Sequence, residues 1–149
     1  MNAHIEQLVQ KSSSELFALK TLRNHGLSRD ALNNVCNVTI IARFLYASPA
    51  WRGFCNSSQF TRLESVCRRA MKWGFRNESS PSLSSLMDRA DASLFSSVIQ
   101  KQDHVLQTLL PPQRSSRYHM RDRGHNYVLP VKTSNTAQNF LIRLLYSNI

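Results

Sequence analysis

Apolar residues recur at three- and four-residue spacing along most of the chain. Ile5, Leu8, Val9, Leu16, Leu19 and Leu22 form the first stripe, which predicts a helix over residues 3–24. Ser12, Ser13 and Ser14 weaken its middle. Gly26 is placed to end it in a left-handed cap. Ser28 then caps a second helix, with Asp30 in its electropositive first turn. Its stripe is Leu32, Val35, Cys36, Thr39 and Ile40, running on to Phe44 or Leu45. Pro49 cannot continue a helix and pushes the residue before it towards extended geometry. The second helix therefore ends near Tyr46 or Ala47, and Trp51 occupies the corner that follows. Tyr46, Pro49 and Trp51 read as structural residues. A third helix starts near Ser57 or Ser58 and carries Phe60, Leu63, Val66, Cys67, Ala70 and Met71 on one face. Leu63 and Val66 are its central core positions. Arg62, Arg68, Arg69 and Lys72 fall largely outside that stripe. Three such helices suit an antiparallel bundle with short connections over residues 1–76.

Gly74 to Ser85 is a serine-rich break containing Pro81. A short helix at about 82–90 follows, then a longer one from Asp91, as cap, to Leu110. Leu94, Val98, Val105 and Leu109 mark its inner face, and Pro111-Pro112 stops it. Residues 77–112 thus read as a helical extension. Residues 113–126 are polar and arginine-rich, Tyr127 to Lys132 is short and extended, and Ala137, Phe140, Leu141, Leu144 and Leu145 mark a final helix. Residues 113–149 make a basic arm ending in that helix. The fold class expected is all-α, with no internal repeat.

Charge changes this picture. Lys plus Arg number 19 against nine acids, for a net charge of +10 and a pI near 10.3, and fourteen of the 19 are Arg. Arg meets phosphate oxygens through two parallel hydrogen bonds, where Lys offers a point charge. A polyanion is the natural partner, and nucleic acid is the commonest one. Cys36, Cys55 and Cys67 form no CxxC pair, and the N-terminus lacks the basic-then-apolar pattern of a secretory signal. No apolar run approaches the ~18 residues of a membrane span. An intracellular setting, cytoplasm or nucleus, without membrane contact is expected.

Candidate chemistry is sparse. Two-metal phosphoryl transfer needs paired carboxylates on a rigid element. The five Asp are dispersed, and Asp88 and Asp91 sit where a helix cap explains them. No cysteine lies near His119 and His125, the closest His pair, as a zinc site would want. No catalytic residue, metal site or cofactor is expected. The informative features are basic. Arg62, Arg68, Arg69, Lys72 and Arg76 spread over the third helix and its exit, offset by Glu64, which pairs with Arg68 at four-residue spacing. Arg114, Arg117, Arg121 and Arg123 interleave with Tyr118 and His119, a pattern that suits a phosphate backbone and stacked bases. The alternatives are a solvated helix face and a disordered linker. Trp51 and Trp73 read as core or corner anchors rather than base platforms.

The order of short motifs resembles one family. Tyr46-Ala47-Ser48-Pro49-Ala50-Trp51, then Arg62-Leu63-Glu64-Ser65-Val66-Cys67-Arg68-Arg69-Ala70, is similar to the region after the palm in non-LTR (LINE-type) retrotransposon reverse transcriptases. His104 through Pro112, Arg117 through Arg121, and Leu129 through Arg143 resemble later segments of the same proteins, in order and over nearly the whole chain. Cys67 stands where that family has Gln, and Val105 follows His104 where it has Pro. The resemblance implies a thumb and C-terminal region without fingers, palm or catalytic aspartates, hence not an enzyme by itself. It implies binding to an RNA/DNA template–primer duplex. Neutralising about four phosphates would give a log–log salt slope near −3 to −4. Two other readings are a free-standing helical DNA-binding module, which would show sequence preference, and a piece that docks onto the remainder of a reverse transcriptase.

Overall fold

The computed structural model describes residues 2–114, 125–134 and 136–147. Their regular secondary structure is all helical, with one isolated antiparallel bridge between Gln113 and Tyr127. Helix α1 spans Asn2–Asn24 and buries Ile5, Leu8, Ser12, Leu16 and Leu19. The serine run does not break it, because Ser13 and Ser14 donate their hydroxyls back to the carbonyls of Val9 and Gln10. Leu22 lies beyond the buried stripe and is exposed. The helix ends in a Schellman turn. Leu27 N–H donates to Leu22 O at 3.1 Å and Gly26 N–H to Arg23 O at 3.0 Å, with Gly26 at φ +90°.

Ser28 caps α2, Arg29–Cys36, by accepting from Ala31 N–H at 3.3 Å. Its backbone then widens into a π-helical turn, Asn37–Ile41, before α3, Ala42–Leu45. The wider turn takes up one residue more than an α-turn, so Ile40 and Ile41 both join Leu32, Cys36 and Phe44 in the core. The chain turns at Tyr46 and Ala47, the latter at φ +49°. The corner holding Pro49 is itself a one-turn helix, α4, Ser48–Trp51, with proline in the first turn, where its missing N–H costs nothing. Trp51 is buried and its indole N–H donates to Tyr46 O at 3.0 Å. Tyr46 is therefore structural through its carbonyl, since the residue as a whole is 81% exposed.

Helix α5 is Ser57–Lys72. Its cap is Asn56, one residue ahead of the expected serines. The Asn56 side chain accepts from Gln59 N–H at 2.8 Å while Gln59 Oε1 accepts from Asn56 N–H at 3.0 Å, a reciprocal capping box that serine could not have completed from position 57. Gln59, Leu63, Val66, Cys67 and Ala70 are buried, and Met71 and Phe60 only half so. A second Schellman turn closes α5. Phe75 N–H donates to Ala70 O and Gly74 N–H to Met71 O, both at 2.9 Å, with Gly74 at φ +76°. Along their lengths α1 and α5 meet at Asn2 with Gln59, Glu6 with Arg62, Ser13 with Arg69, and Arg23 with Trp73. The two helices thus run side by side in the same direction, with α2 returning between them in sequence.

Helix α6 is a single element, Leu83–Gln100, capped by Ser82, which accepts from Ser85 N–H at 3.1 Å. It replaces the two helices expected here. Asp91 lies in its middle and is not a cap. Leu83 and Met87 complete the first core, and Phe95 and Val98 pack with Leu141, Leu144 and Leu145 of α7, Phe140–Ser147, in a second. The packing carries across residue 76. The helix does not reach Leu110: Lys101 is extended, a polar Lys101-Gln102-Asp103 run follows, and Val105 and Leu109 are exposed rather than inward.

The turn Arg52–Phe54 approaches the segment Thr136–Gln138 closely. A Cβ on Gly53 would stand 2.0 Å from Gln138 O. Gly53→Ala is therefore expected to cost about 2 kcal/mol, as overpacking does, and to lower the melting temperature by roughly 4–8 °C. Circular dichroism melts of the variant and the parent check it.

Candidate nucleic-acid interface

The rotation of α5 about its axis is set by its apolar stripe, and its ends are set by the capping box and Gly74. Arg68 and Lys72, one turn apart, therefore stand on the outer face. Both are exposed, and neither has an ion pair among the described residues. The expected Glu64–Arg68 pair is not formed. Arg62 is also exposed, with a loose 3.8 Å contact to Glu6. Arg69 lies on the flank facing α1, half-buried, where its Nη2 donates to Ser13 Oγ at 2.9 Å. It packs helix against helix rather than facing outward.

Arg76 is a correction to the expected interface. It is 2% exposed, and its Nη2 donates to Pro81 O at 2.5 Å. The reason is local. The Schellman turn reverses the chain at Gly74, so Phe75 and Arg76 are carried inward instead of extending the outer face of α5. Arg117, Arg121 and Arg123 lie outside the described residues. Leu63, Val66 and Trp51 are buried, as their pattern requires, and Pro49 is half-buried. Among the described residues three exposed cations of the expected set remain: Arg68 and Lys72 on the outer face, and Arg62 about 120° around the axis from Arg68, on the flank facing α1.

Two cations missed in the sequence lie beside Lys72. Arg23 and Arg29 join Lys72, Trp73, Gly74, Leu27 and Leu32 around a groove of about 370 Å³ at the shared end of α1 and α5. Arg23 is held in place, with Nη1 donating to Trp73 O at 2.8 Å and its guanidinium 5.3 Å from the centre of the Phe75 ring. Among the described residues no acidic side chain lines the groove. A signal existed: Arg23, Arg29 and Lys72 each sit within three residues of a helix-ending glycine or a capping serine. Which helix ends meet is a tertiary fact that spacing does not carry.

The carboxylates do other work. Arg52 Nη1 contacts Asp88 at 2.6 Å and Asp91 at 3.3 Å, and Arg143 Nη1 contacts Asp91 at 3.1 Å. Asp91 is 3% exposed. Burial pushes its carboxyl above the usual range, and Arg143 and Arg52 offset this only in part. Burial likewise pushes the Cys36 thiol up to about 11 and raises Cys67, with Arg76 opposing in both cases. Both stay protonated core residues at neutral pH. Among the described residues no three His, Cys, Asp or Glu side chains are grouped to hold a metal ion, and no helix is long and apolar enough to cross a membrane.

No protein-family model, curated protein or solved structure matches this chain.

The Asp91 shift has a sign that can be tested. A carboxyl raised above its ordinary 3.8 contributes stability that is complete below that value and is lost as pH rises through the raised one. The melting temperature of the parent minus that of Asp91→Asn is expected to move in the parent's favour as pH falls from about 7 towards 4. Movement the other way would mean that the two guanidiniums outweigh burial.

Proposed function

We propose that this chain is a non-catalytic, nucleic-acid-gripping piece of a LINE-type reverse transcriptase, corresponding to the thumb and the region downstream. Its role is to hold a template–primer duplex by its phosphates. The observation that carries this reading is the outward pair Arg68 and Lys72, exposed and without an acidic partner among the described residues. Arg62 adds an exposed cation on the adjoining flank of the helix. The three cations spread over about 15 Å of helix axis. Each strand of a duplex repeats its charge every ~3.4 Å, so Arg68 and Lys72, about 6 Å apart along the axis, suit separate phosphates of one strand, and Arg62 reaches a third from the flank. The ordered resemblance of the chain's motifs to that family supplies the rest of the argument. Long cationic side chains on a helix face contact backbone oxygens and carry little base readout, which favours recognition of duplex shape over sequence.

A companion reading is docking onto the remainder of such an enzyme. Phe17 on α1 and Val38 in the π turn after α2 are exposed apolar side chains that such a contact would cover.

With three phosphate contacts, duplex affinity is expected to fall with salt at a log–log slope of about −2.7, and Arg68→Ala is expected to reduce that slope by about 0.9. Fluorescence anisotropy on a labelled RNA/DNA duplex, titrated at several salt concentrations, measures both. A flat response, or a strong dependence on duplex sequence, would count against the proposal.

A further inference from the structure

We infer that the groove at the shared end of α1 and α5 is a binding site for a phosphate monoester carried on a nucleotide, either free or at the end of a strand. This goes beyond the outer-face reading and stands without it, because Arg23 and Arg29 belong to other elements. Three cations line one concavity, with no acid in its lining among the described residues. The local helix dipoles do not cancel them. The C-terminal ends of α1 and α5 contribute about −0.5 charge each and the N-terminal end of α2 about +0.5, against three full positive charges. The carbonyls of Leu22, Arg23, Ala70 and Met71 are moreover occupied by the two Schellman turns, and that of Trp73 by Arg23.

The parts differ in stiffness. Arg23 is fixed by the Trp73 carbonyl and the Phe75 ring. Arg29 and Lys72 are exposed and without an ion pair among the described residues, free to close on a ligand. A terminal phosphate carries about −1.5 to −2 charge and three acceptor oxygens, and so matches three convergent donors better than a singly charged phosphodiester does. The remaining wall is apolar, from Leu27, Leu32 and half-buried Trp73. An apolar wall beside the cations suits the base of a nucleotide better than it suits a bare phosphate. The volume of about 370 Å³ falls within the roughly 300–1,000 Å³ of small-ligand sites.

Two measurements on the full chain test the site. Tryptophan emission is followed during titration with adenosine 5′-monophosphate and, separately, with inorganic phosphate. Trp73 lines the groove while Trp51 is buried in the core, so quenching by the nucleotide reports on the groove. Anisotropy then compares a 5′-phosphorylated duplex with its 5′-hydroxyl twin. The phosphorylated duplex is expected to bind about tenfold more tightly, as one charge-assisted contact would give. Arg29→Ala, at an exposed position, is expected to erase that preference, whereas Arg62→Ala weakens both duplexes alike. Nucleotide quenching without end preference assigns the groove to free nucleotides, and end preference without quenching assigns it to strand ends; either supports the site. Equal duplex affinities with no quenching would overturn it, as would inorganic phosphate competing as well as the nucleotide. If neither duplex binds but the nucleotide does, the outer-face reading falls and the groove remains.

Discussion

Everything on the surface of α5 follows from how its buried side is locked. Burying Leu63 and Val66 alone is worth roughly 3–6 kcal/mol, and Cys67 and Ala70 are buried on the same face. An exposed ion pair such as Arg62 with Glu6 is worth a small fraction of that. The apolar stripe, not the charges, therefore decides the rotation of the helix. Once it is decided, Arg68 and Lys72 have no direction left but outward. The glycine ends then decide where the basic run stops. Lys72 is its last outward member, because Gly74 bends the chain back and takes Arg76 into the interior.

That division explains what could be read beforehand. The boundaries of α1, the glycine stop at residue 26, the Ser28 cap and the buried face of α5 are local properties of spacing and turn chemistry, and the sequence carried them. Asn56 was missed because Ser57 and Ser58 are equally good caps. Only the reciprocal bond to Gln59 selects it. Arg76 was misplaced because a run of bases reads as one face until the turn after Lys72 is known. The cationic groove was illegible for a further reason. Its members lie on three elements, and they meet only because α1 and α5 run the same way.

Asp91 is the clearest case of tertiary context overriding a local rule. An aspartate after a polar, serine-rich stretch reads as a helix start. In the fold it is buried mid-helix between Arg52 and Arg143, which come from the turn after α4 and from α7. It ties three distant segments at the point where α6 passes from one core to the other. Two arginines of the basic total are thus spent internally, as are Arg76 and, in part, Arg43, whose guanidinium pairs with Glu15. The net charge of the chain overstates the cation available to a partner.

The widened turn at Asn37–Ile41 bears on how this chain tolerates length changes. An α-helix advances about 100° per residue. Removing one residue here would restore ordinary backbone pairing and leave Phe44 facing the interior, whereas straightening the turn with all its residues kept would rotate Phe44 out and re-aim the Tyr46–Trp51 corner that sets the path into α5. The irregular turn is a phase adjuster: it lets a helix with one residue too many still deliver the chain to the place where the basic helix begins.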